Sequence, residues 1–189
     1  MKDLIDILKQ KGAILDGHFL LTSGRHSDKY IEKFRIIEDP EILDLISTRI
    51  SNAFIDESID IVMSAAIGGI LLCGAVGRVL NRKHIFTERV NGSMKLRRGF
   101  NIPNGSNVLI VEDIVTTGGS IFEIIEVAEK FNANIVGIGS IIDRNKTLID
   151  FGYNYKPLVQ YPVSSWSNEE IPDWLNRIPI SKPGRSGKK

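Results

Sequence analysis

Val108-Leu109-Ile110-Val111 is a continuous apolar run followed at once by Glu112-Asp113, and it constrains the fold more than any other segment. An apolar run without alternation describes a strand covered on both faces, the habit of a parallel sheet lying between helices. The flanking chain has a matching rhythm. Ile59 to Met63 reads as a short strand, Gly69 to Leu80 as a helix with Ile70, Cys73, Val76 and Leu80 on one stripe, and Ile85-Phe86 as a strand. Ile121 to Phe131 reads as a helix and Ile135 to Ile142 as a strand. This alternation predicts an α/β fold, a parallel central sheet with helices on both faces. Ligands of such sheets bind beyond the carboxyl ends of the strands.

Upstream, Leu4, Ile5 and Leu8 mark a short helix over 2–11 that ends at Gly12. The segment from His18 to Arg35 holds two extended stretches around the turn-prone Ser23-Gly24-Arg25-His26-Ser27. Asp39-Pro40 opens another helix, with Asp39 as cap, Pro40 at the first position, and Leu43, Ile46, Ile50 and Ala53 along one face. No internal repeat is visible, and 182–189 reads as a frayed basic tail. At 189 residues and 42% hydrophobic content, the chain suits one domain, 1–189, with a continuous core.

With 24 basic and 23 acidic residues the net charge is +1, so no whole-protein field invites nucleic acid or an anionic membrane. An anionic ligand must therefore be captured locally. The charged N-terminus is unlike a signal peptide, and the apolar stretch from Ala65 to Leu80 is broken by glycines and Arg78. A soluble cytoplasmic protein is the expectation. Cys73 is the only cysteine, which excludes an internal disulfide and a cysteine-based zinc site. It lies in an apolar run with no basic neighbour to lower its pKa, and reads as packing.

The segment after the buried strand carries the chemistry: Glu112-Asp113-Ile114-Val115-Thr116-Thr117-Gly118-Gly119-Ser120, running into a helix. A helix start offers unpaired N–H groups and partial positive charge. Gly118 and Gly119 let backbone approach a ligand, and Thr116, Thr117 and Ser120 add hydroxyl donors, which together make a cradle for a phosphate. Glu112 and Asp113 would repel phosphate inside that cradle; one step away they accept hydrogen bonds from sugar hydroxyls. They read as exposed acids after a buried strand. A phosphate beside two hydroxyls describes a ribose 5-phosphate. A plainer reading makes Ser120 and Glu123 a capping box and the glycines a tight turn. The segment is neither a Walker loop nor a dinucleotide fingerprint.

Glu112 to Ser120 resembles the diphosphoribose-binding signature of type I phosphoribosyltransferases, and the wider chain resembles the orotate phosphoribosyltransferases. The match is carried further by Gly17 to Ser27, by Ala66-Ile67-Gly68-Gly69-Ile70, by Phe86 to Phe100 and by Asp143-Arg144. The resemblance implies a type I fold with a small N-terminal hood, formed by about 1–36 plus the C-terminal segment. It implies transfer of ribose 5-phosphate from 5-phosphoribosyl 1-diphosphate to orotate in pyrimidine (UMP) biosynthesis, with Mg²⁺ held mainly by substrate and by no direct protein ligand. It also implies a homodimer, because a mobile loop of one subunit reaches the neighbour's site.

The resemblance assigns residues too. Glu112, Asp113, Ile114, Val115, Thr116, Thr117, Gly118, Gly119 and Ser120 would bind the donor, and Thr116 and Arg144 the orotate. Arg89, Lys95 and Asp113 would be catalytic. Arg89, Lys95, Arg97 and Arg98, broken by Asn91-Gly92-Ser93, suit a basic lid over a pyrophosphate leaving group, although a charge run is commonly a solvated loop or hairpin. Arg144 offers paired donors to a carboxylate, its plain alternative being an ion pair with Asp143. Gly68-Gly69 suits either a second anion site or close helix–sheet packing. His26 reads as structural, and Trp166 and Trp174 as packing.

The chain departs from the family pattern in three places. Ala65 stands where a proline is usual, Thr22 where some relatives carry a lysine that Lys33 would replace, and Ile171-Pro172-Asp173-Trp174 where many carry cysteines. Two other functions stay open: a phosphoribosyltransferase for another base, and a non-catalytic regulator that binds the same phosphosugar.

Overall fold

The protein is described by a computed structural model over residues 3–21 and 23–181, so Thr22 and the expected tail 182–189 lie outside the described residues. Two compact units emerge, one of residues 3–38 with 162–181 and one of Asp39–Tyr161.

In the smaller unit, α1 (Leu4–Gln10) is capped by Asp3, whose carboxylate accepts from the Ile5 N–H. A three-stranded sheet follows, in the order β2 (His26–Ile31), β1 (Ile14–Leu20), β9 (Ile180–Ser181). The chain between β1 and β2 turns where the glycine-bearing segment predicts. Two short helices, α2 (Phe34–Ile37) and α6 (Asp173–Asn176), complete the unit. The first corrects the extended reading carried through to Arg35: Phe34-Arg35-Ile36-Ile37 coils so that Ile36 and Ile37 are both buried.

The larger unit is built on a six-stranded sheet. Its strands are β3 (Ile61–Ala65), β4 (Lys83–Val90), β5 (Ser93–Leu96), β6 (Asn107–Val115), β7 (Asn134–Asp143) and β8 (Tyr155–Gln160), ordered β5-β4-β3-β6-β7-β8. All neighbours are parallel except β5, which folds back antiparallel on β4. The helices are α3 (Pro40–Ala53), α4 (Gly69–Leu80) and α5 (Gly119–Lys130).

Period-two alternation sorts the helices onto the two faces. Ile61, Met63, Val108, Ile110 and Ile138 join the buried cluster that contains Ile121, Ile124, Ile125 and Ala128 of α5. Gly137 and Gly139, either side of Ile138, turn the other way: a Cβ on them would meet Phe54 and Ile50 from the α3 side. Helix α4 packs on α3, and its Cys73 Sγ donates to the carbonyls of Val62 and Ile85, each at 3.3 Å. Each fully buried Leu or Ile of these layers contributes about 1.5–3 kcal/mol of burial.

Helix α3 begins as its sequence predicts, with the Asp39 carboxylate accepting from Glu41 N and Ile42 N and with Pro40 in the first turn. Its buried face is Ile42, Ile46 and Ile50 with Ser47 and Ser51; Ile46 and Ile50 stand as expected, while Leu43 and Ala53 are half-buried. Helix α4 has the expected bounds, but its buried stripe is Gly69, Leu72, Cys73, Val76 and Gly77; Ile70 and Leu80 are half-buried.

Candidate active site

At the carboxyl end of the sheet, β6 runs on through both acids to Val115. The backbone of Glu112, Ile114 and Val115 keeps pairing with Ser140, Ile142 and Asp143 of β7. Glu112 and Asp113 are consequently buried, at 8% and 3% exposure, and this corrects the reading of two exposed acids. Each carboxylate also takes a local backbone bond: Glu112 Oε1 accepts from Asp113 N at 2.9 Å, and Asp113 Oδ1 from Ile114 N at 2.6 Å.

Beyond Val115 the chain opens. Thr116 and Thr117 are exposed, Gly118 takes φ 75 as the N-cap of α5, and Gly119 begins the helix. Gly118 is required twice over, by its left-handed backbone and because a Cβ there would lie 2.7 Å from the Phe151 ring. Glu112 and 114–121 line a small cavity of about 50 Å³. The expected Ser120–Glu123 capping box does not form. Gly118 is the cap, with no side-chain cap bond, and the Glu123 carboxylate is taken by Arg89.

That arginine belongs to the basic segment, which is a regular hairpin. β4 and β5 turn at Asn91-Gly92, both with positive φ, the chemistry of a tight two-residue hairpin turn. Arg89 Nη1 donates to Glu123 Oε1 and to the Gly92 carbonyl, both at 2.9 Å, and Nη2 lies 2.7 Å from Glu123 Oε2. Arg89 thus stands one helical turn from the 116–120 loop. Lys95 pairs across the hairpin with Glu88, whereas Arg89 pairs with Met94, so the two expected catalytic cations point to opposite faces. Arg98 grips Glu88 through two bonds of 2.9 and 2.8 Å; they hold the Glu88 carboxyl below the usual carboxylate range.

The second glycine pair lies at the start of α4. The Ala66–Ile67 peptide is cis, and Gly68 precedes the helix with ordinary helical φ. A Cβ on Gly69 would overlap the Ser64 hydroxyl and approach Glu112 Oε1 to 3.9 Å. Close helix–sheet approach therefore accounts for Gly69. Ala65, in the place of the family's proline, simply ends β3.

Arg144 follows the last residue of β7, half-buried, with its N–H donating to the Val115 carbonyl at 2.9 Å. Asp143 beside it is fully buried and accepts from the Tyr155 hydroxyl and from Asn145. The larger unit therefore gathers Glu112, Asp113, 114–120, Arg89 and Arg144 near one end of the sheet. Ser64, Asn145 and Tyr155 were not singled out in the sequence, and Glu123 only as a capping residue; the bonds Asn145–Thr116 and Glu123–Arg89 span 29 and 34 positions and leave no local signal.

In the smaller unit, residues of the 23–27 turn hold chain together. Arg25 donates to Ser165 Oγ and the Ser165 carbonyl, and Ser27 to the Ser164 carbonyl. His26 opens β2 rather than sitting on a polar turn; its Nδ1 lies 2.6 Å from His18 Nε2 and both rings are buried. His18 Nδ1 faces the Ile178 carbonyl at 3.0 Å and must donate to it. With His18 neutral, its Nε2 then accepts from His26 Nδ1. Trp166 and Trp174 meet edge to face, their ring centres 6.1 Å apart.

The phosphoribosyl transferase domain family matches residues 35–168. Orotate phosphoribosyltransferase of Thermoanaerobacter sp. (strain X514) is 42% identical over 183 residues, 97% of this chain and 96% of that one. The chain belongs to the orotate phosphoribosyltransferase family. Another relative within the orotate phosphoribosyltransferases, from Thermotoga maritima, is 40% identical over 97% of this chain and 98% of its own. The crystal structure of orotate phosphoribosyltransferase from Aeropyrum pernix shares the fold, with a TM-score of 0.70 and 24% identity over 83% of this chain and 93% of that one.

Proposed function

We propose that the chain transfers the phosphoribosyl group of 5-phosphoribosyl 1-diphosphate to orotate, giving orotidine 5′-phosphate and pyrophosphate on the route to UMP. One observation carries the reading: a buried acid pair leads directly into an open, hydroxyl-lined helix start at 116–120. In this reading Glu112 and Asp113 hold the ribose hydroxyls, and the amides and hydroxyls of 114–120 hold the 5-phosphate. Thr116 and Arg144 receive orotate, the guanidinium meeting its carboxylate with paired donors. Arg89 and Lys95 neutralise the departing pyrophosphate. Those two cations lie on opposite faces of the hairpin, and Arg89 is the one on the α5 side.

The bond from C1 to pyrophosphate loosens first, leaving cationic character at C1, and orotate N1 attacks from the opposite face. Orotate is already an anion, so the protein supplies positioning and electrostatics rather than a strong base. The site suits Mg²⁺ held mainly by substrate oxygens and waters, with Glu112 and Asp113 on the ribose hydroxyls rather than on the metal. Among the described residues no three His, Cys, Asp or Glu side chains cluster as a closed metal cage. When bound, Mg²⁺ supplies charge stabilisation to the diphosphate.

The proposal includes a homodimer. An apolar groove of about 540 Å³ on the larger unit is lined by Leu43, Ile70, Leu71, Phe86 and Phe100 among others, with Leu71 54% exposed. A face of this kind suits a second copy of the chain. Leu71→Asp should then convert the dimer to monomer in sedimentation velocity. A cytoplasmic location goes with small water-soluble substrates. No helix among the described residues is long and apolar enough to cross a membrane.

The deciding measurement is pyrophosphate release with Mg²⁺ and the donor, comparing orotate with uracil, adenine and hypoxanthine. Release with orotate alone is expected. Turnover of another base in preference would overturn the substrate, and no turnover of any base would leave a binding protein.

A further inference from the structure

The side chain of Asn145 joins the end of β7 to the 116–120 loop. Asn145 Nδ2 donates to the Thr116 carbonyl at 2.7 Å and to Asp143 Oδ1 at 2.9 Å, and the Asn145 backbone N–H donates to that same oxygen at 2.7 Å. Asp143 Oδ2 accepts from the Tyr155 hydroxyl at 2.9 Å, and Ser140 Oγ lies 2.9 Å from the Tyr155 oxygen. Burial pushes the Tyr155 hydroxyl above its ordinary value, with Asp143 adding to the rise, so it stays a donor. A fully buried carboxylate is costly unless its oxygens are paired, and here both are. The result is one chain of hydrogen bonds from β8 through β7 to the start of the cradle.

Arg144 stands between the two anchored residues of this chain. Its own N–H is held by the Val115 carbonyl, and the Asp143 carbonyl accepts from Tyr161 N at 2.7 Å. Gln160 steadies the next stretch, donating to the carbonyls of Asn145 and Lys146 at 3.0 and 3.2 Å. The Asn145 amide reaches across to the Thr116 carbonyl. Only an amide serves here: one Nδ2 hydrogen goes to Asp143 and the other to Thr116, which neither a carboxylate nor an alkyl group can provide.

We infer that Asn145 is a positioning residue that couples the Arg144 arm to the 116–120 loop, so that filling one raises the affinity of the other. The inference rests on the reading of that loop as the phosphosugar cradle and of Arg144 as the base-binding arm. A phosphate that orders the loop fixes the Thr116 carbonyl, hence the Asn145 amide, hence the backbone that aims Arg144. The effect is reciprocal by thermodynamic necessity. It travels through contiguous bonded groups rather than through mere proximity.

Calorimetry on the full chain with Mg²⁺ tests this. Orotate affinity is measured alone and with saturating ribose 5-phosphate, which fills the sugar and phosphate positions but has no pyrophosphate to lose. In the unaltered protein ribose 5-phosphate should tighten orotate about fivefold or more, the lower range of ordinary site coupling. Asn145→Asp keeps the volume and the backbone bond but loses the amide hydrogens; there, and in Asn145→Ala, the ratio should fall to one while both ligands still bind. Gln160→Leu loosens the same loop without touching Thr116 and should keep the full ratio. Four results overturn the inference and leave the function standing: a ratio of one in the unaltered protein, an undiminished ratio in Asn145→Asp, a lost ratio in Gln160→Leu, or loss of either ligand altogether in both Asn145 variants. If the unaltered protein binds neither ligand, the reading beneath the inference fails instead.

Discussion

Two glycine pairs open two helices at the same end of the sheet, and they do opposite things. Gly118-Gly119 starts α5 with a left-handed backbone at Gly118 and leaves an open, hydroxyl-lined space in front of the helix. Gly68-Gly69 starts α4 with ordinary helical φ at Gly68, and Gly69 is needed because Ser64 fills the place of its side chain. One pair leaves open space in front of its helix; the other removes room so that helix and strand can meet. Equal dipeptides after equal strands thus carry different physics, and only the surrounding side chains decide which.

If this contrast holds, changes around α5 strike catalysis and leave stability nearly intact, while changes around α4 strike stability. The largest effect is expected for Arg89→Ala, which removes the cation proposed to face the developing pyrophosphate. A fall of about 10²–10³ in kcat/KM, with the melting temperature almost unmoved, follows from the usual worth of such a group. An unchanged kcat/KM would deny the hairpin any part in the chemistry. Asp113→Asn should cost about 1.5–3 kcal/mol in binding of the donor, the range for a hydrogen bond to a charged group, seen by calorimetry with ribose 5-phosphate. Gly69→Ala tests the other arm. It forces a methyl into the Ser64 side chain and should cost about 1–3 kcal/mol of stability in urea unfolding, the range for overpacking, with part of the loss recovered in Ser64→Gly/Gly69→Ala. A stable Gly69→Ala protein with ruined activity would make α4 a ligand site like α5, and the contrast would collapse.

The smallest effect concerns Cys73, on the second turn of α4. Burial pushes its thiol up to about 12, against an ordinary value of 9.0. The sign follows: the folded state favours the neutral thiol, so its contribution is complete below pH 9 and drains away as pH rises toward 12. Cys73→Ser should therefore flatten part of the alkaline fall in unfolding midpoint. In the native protein at pH 8 the thiol should resist alkylation until urea is added.

Sequence pattern reached the alternation of strands and helices because each long element is dominated by its own burial. Helix α4 has the expected bounds for that reason. The acid pair misled because charged side chains look like the end of a strand, whereas the backbone of Glu112 goes on pairing with β7 regardless. Strand β8 escaped notice because Lys156 and Pro157 spoil its pattern, and an edge strand tolerates proline where an inner one does not. At the site, the hydroxyl-and-glycine loop was legible because its chemistry is contiguous. Glu123 holding Arg89, and Asn145 holding Thr116, join residues 34 and 29 positions apart, and no window along the chain contains both members.

The bare strip made by Gly137 and Gly139 has a wider consequence. Helix α3 rests its Phe54 and Ile50 directly on the main chain of β7, and that strand ends in Asp143, just before Arg144. The strand is a rod clamped near its middle, with Arg144, the residue proposed to receive the base, just past its tip. A methyl group added at either glycine would tilt the rod at the clamp, so a change well away from any bound molecule would be felt as poorer aim at the far end. If Arg144 receives the base as proposed, fidelity toward it is, to that extent, a property of how flat one stretch of backbone is kept.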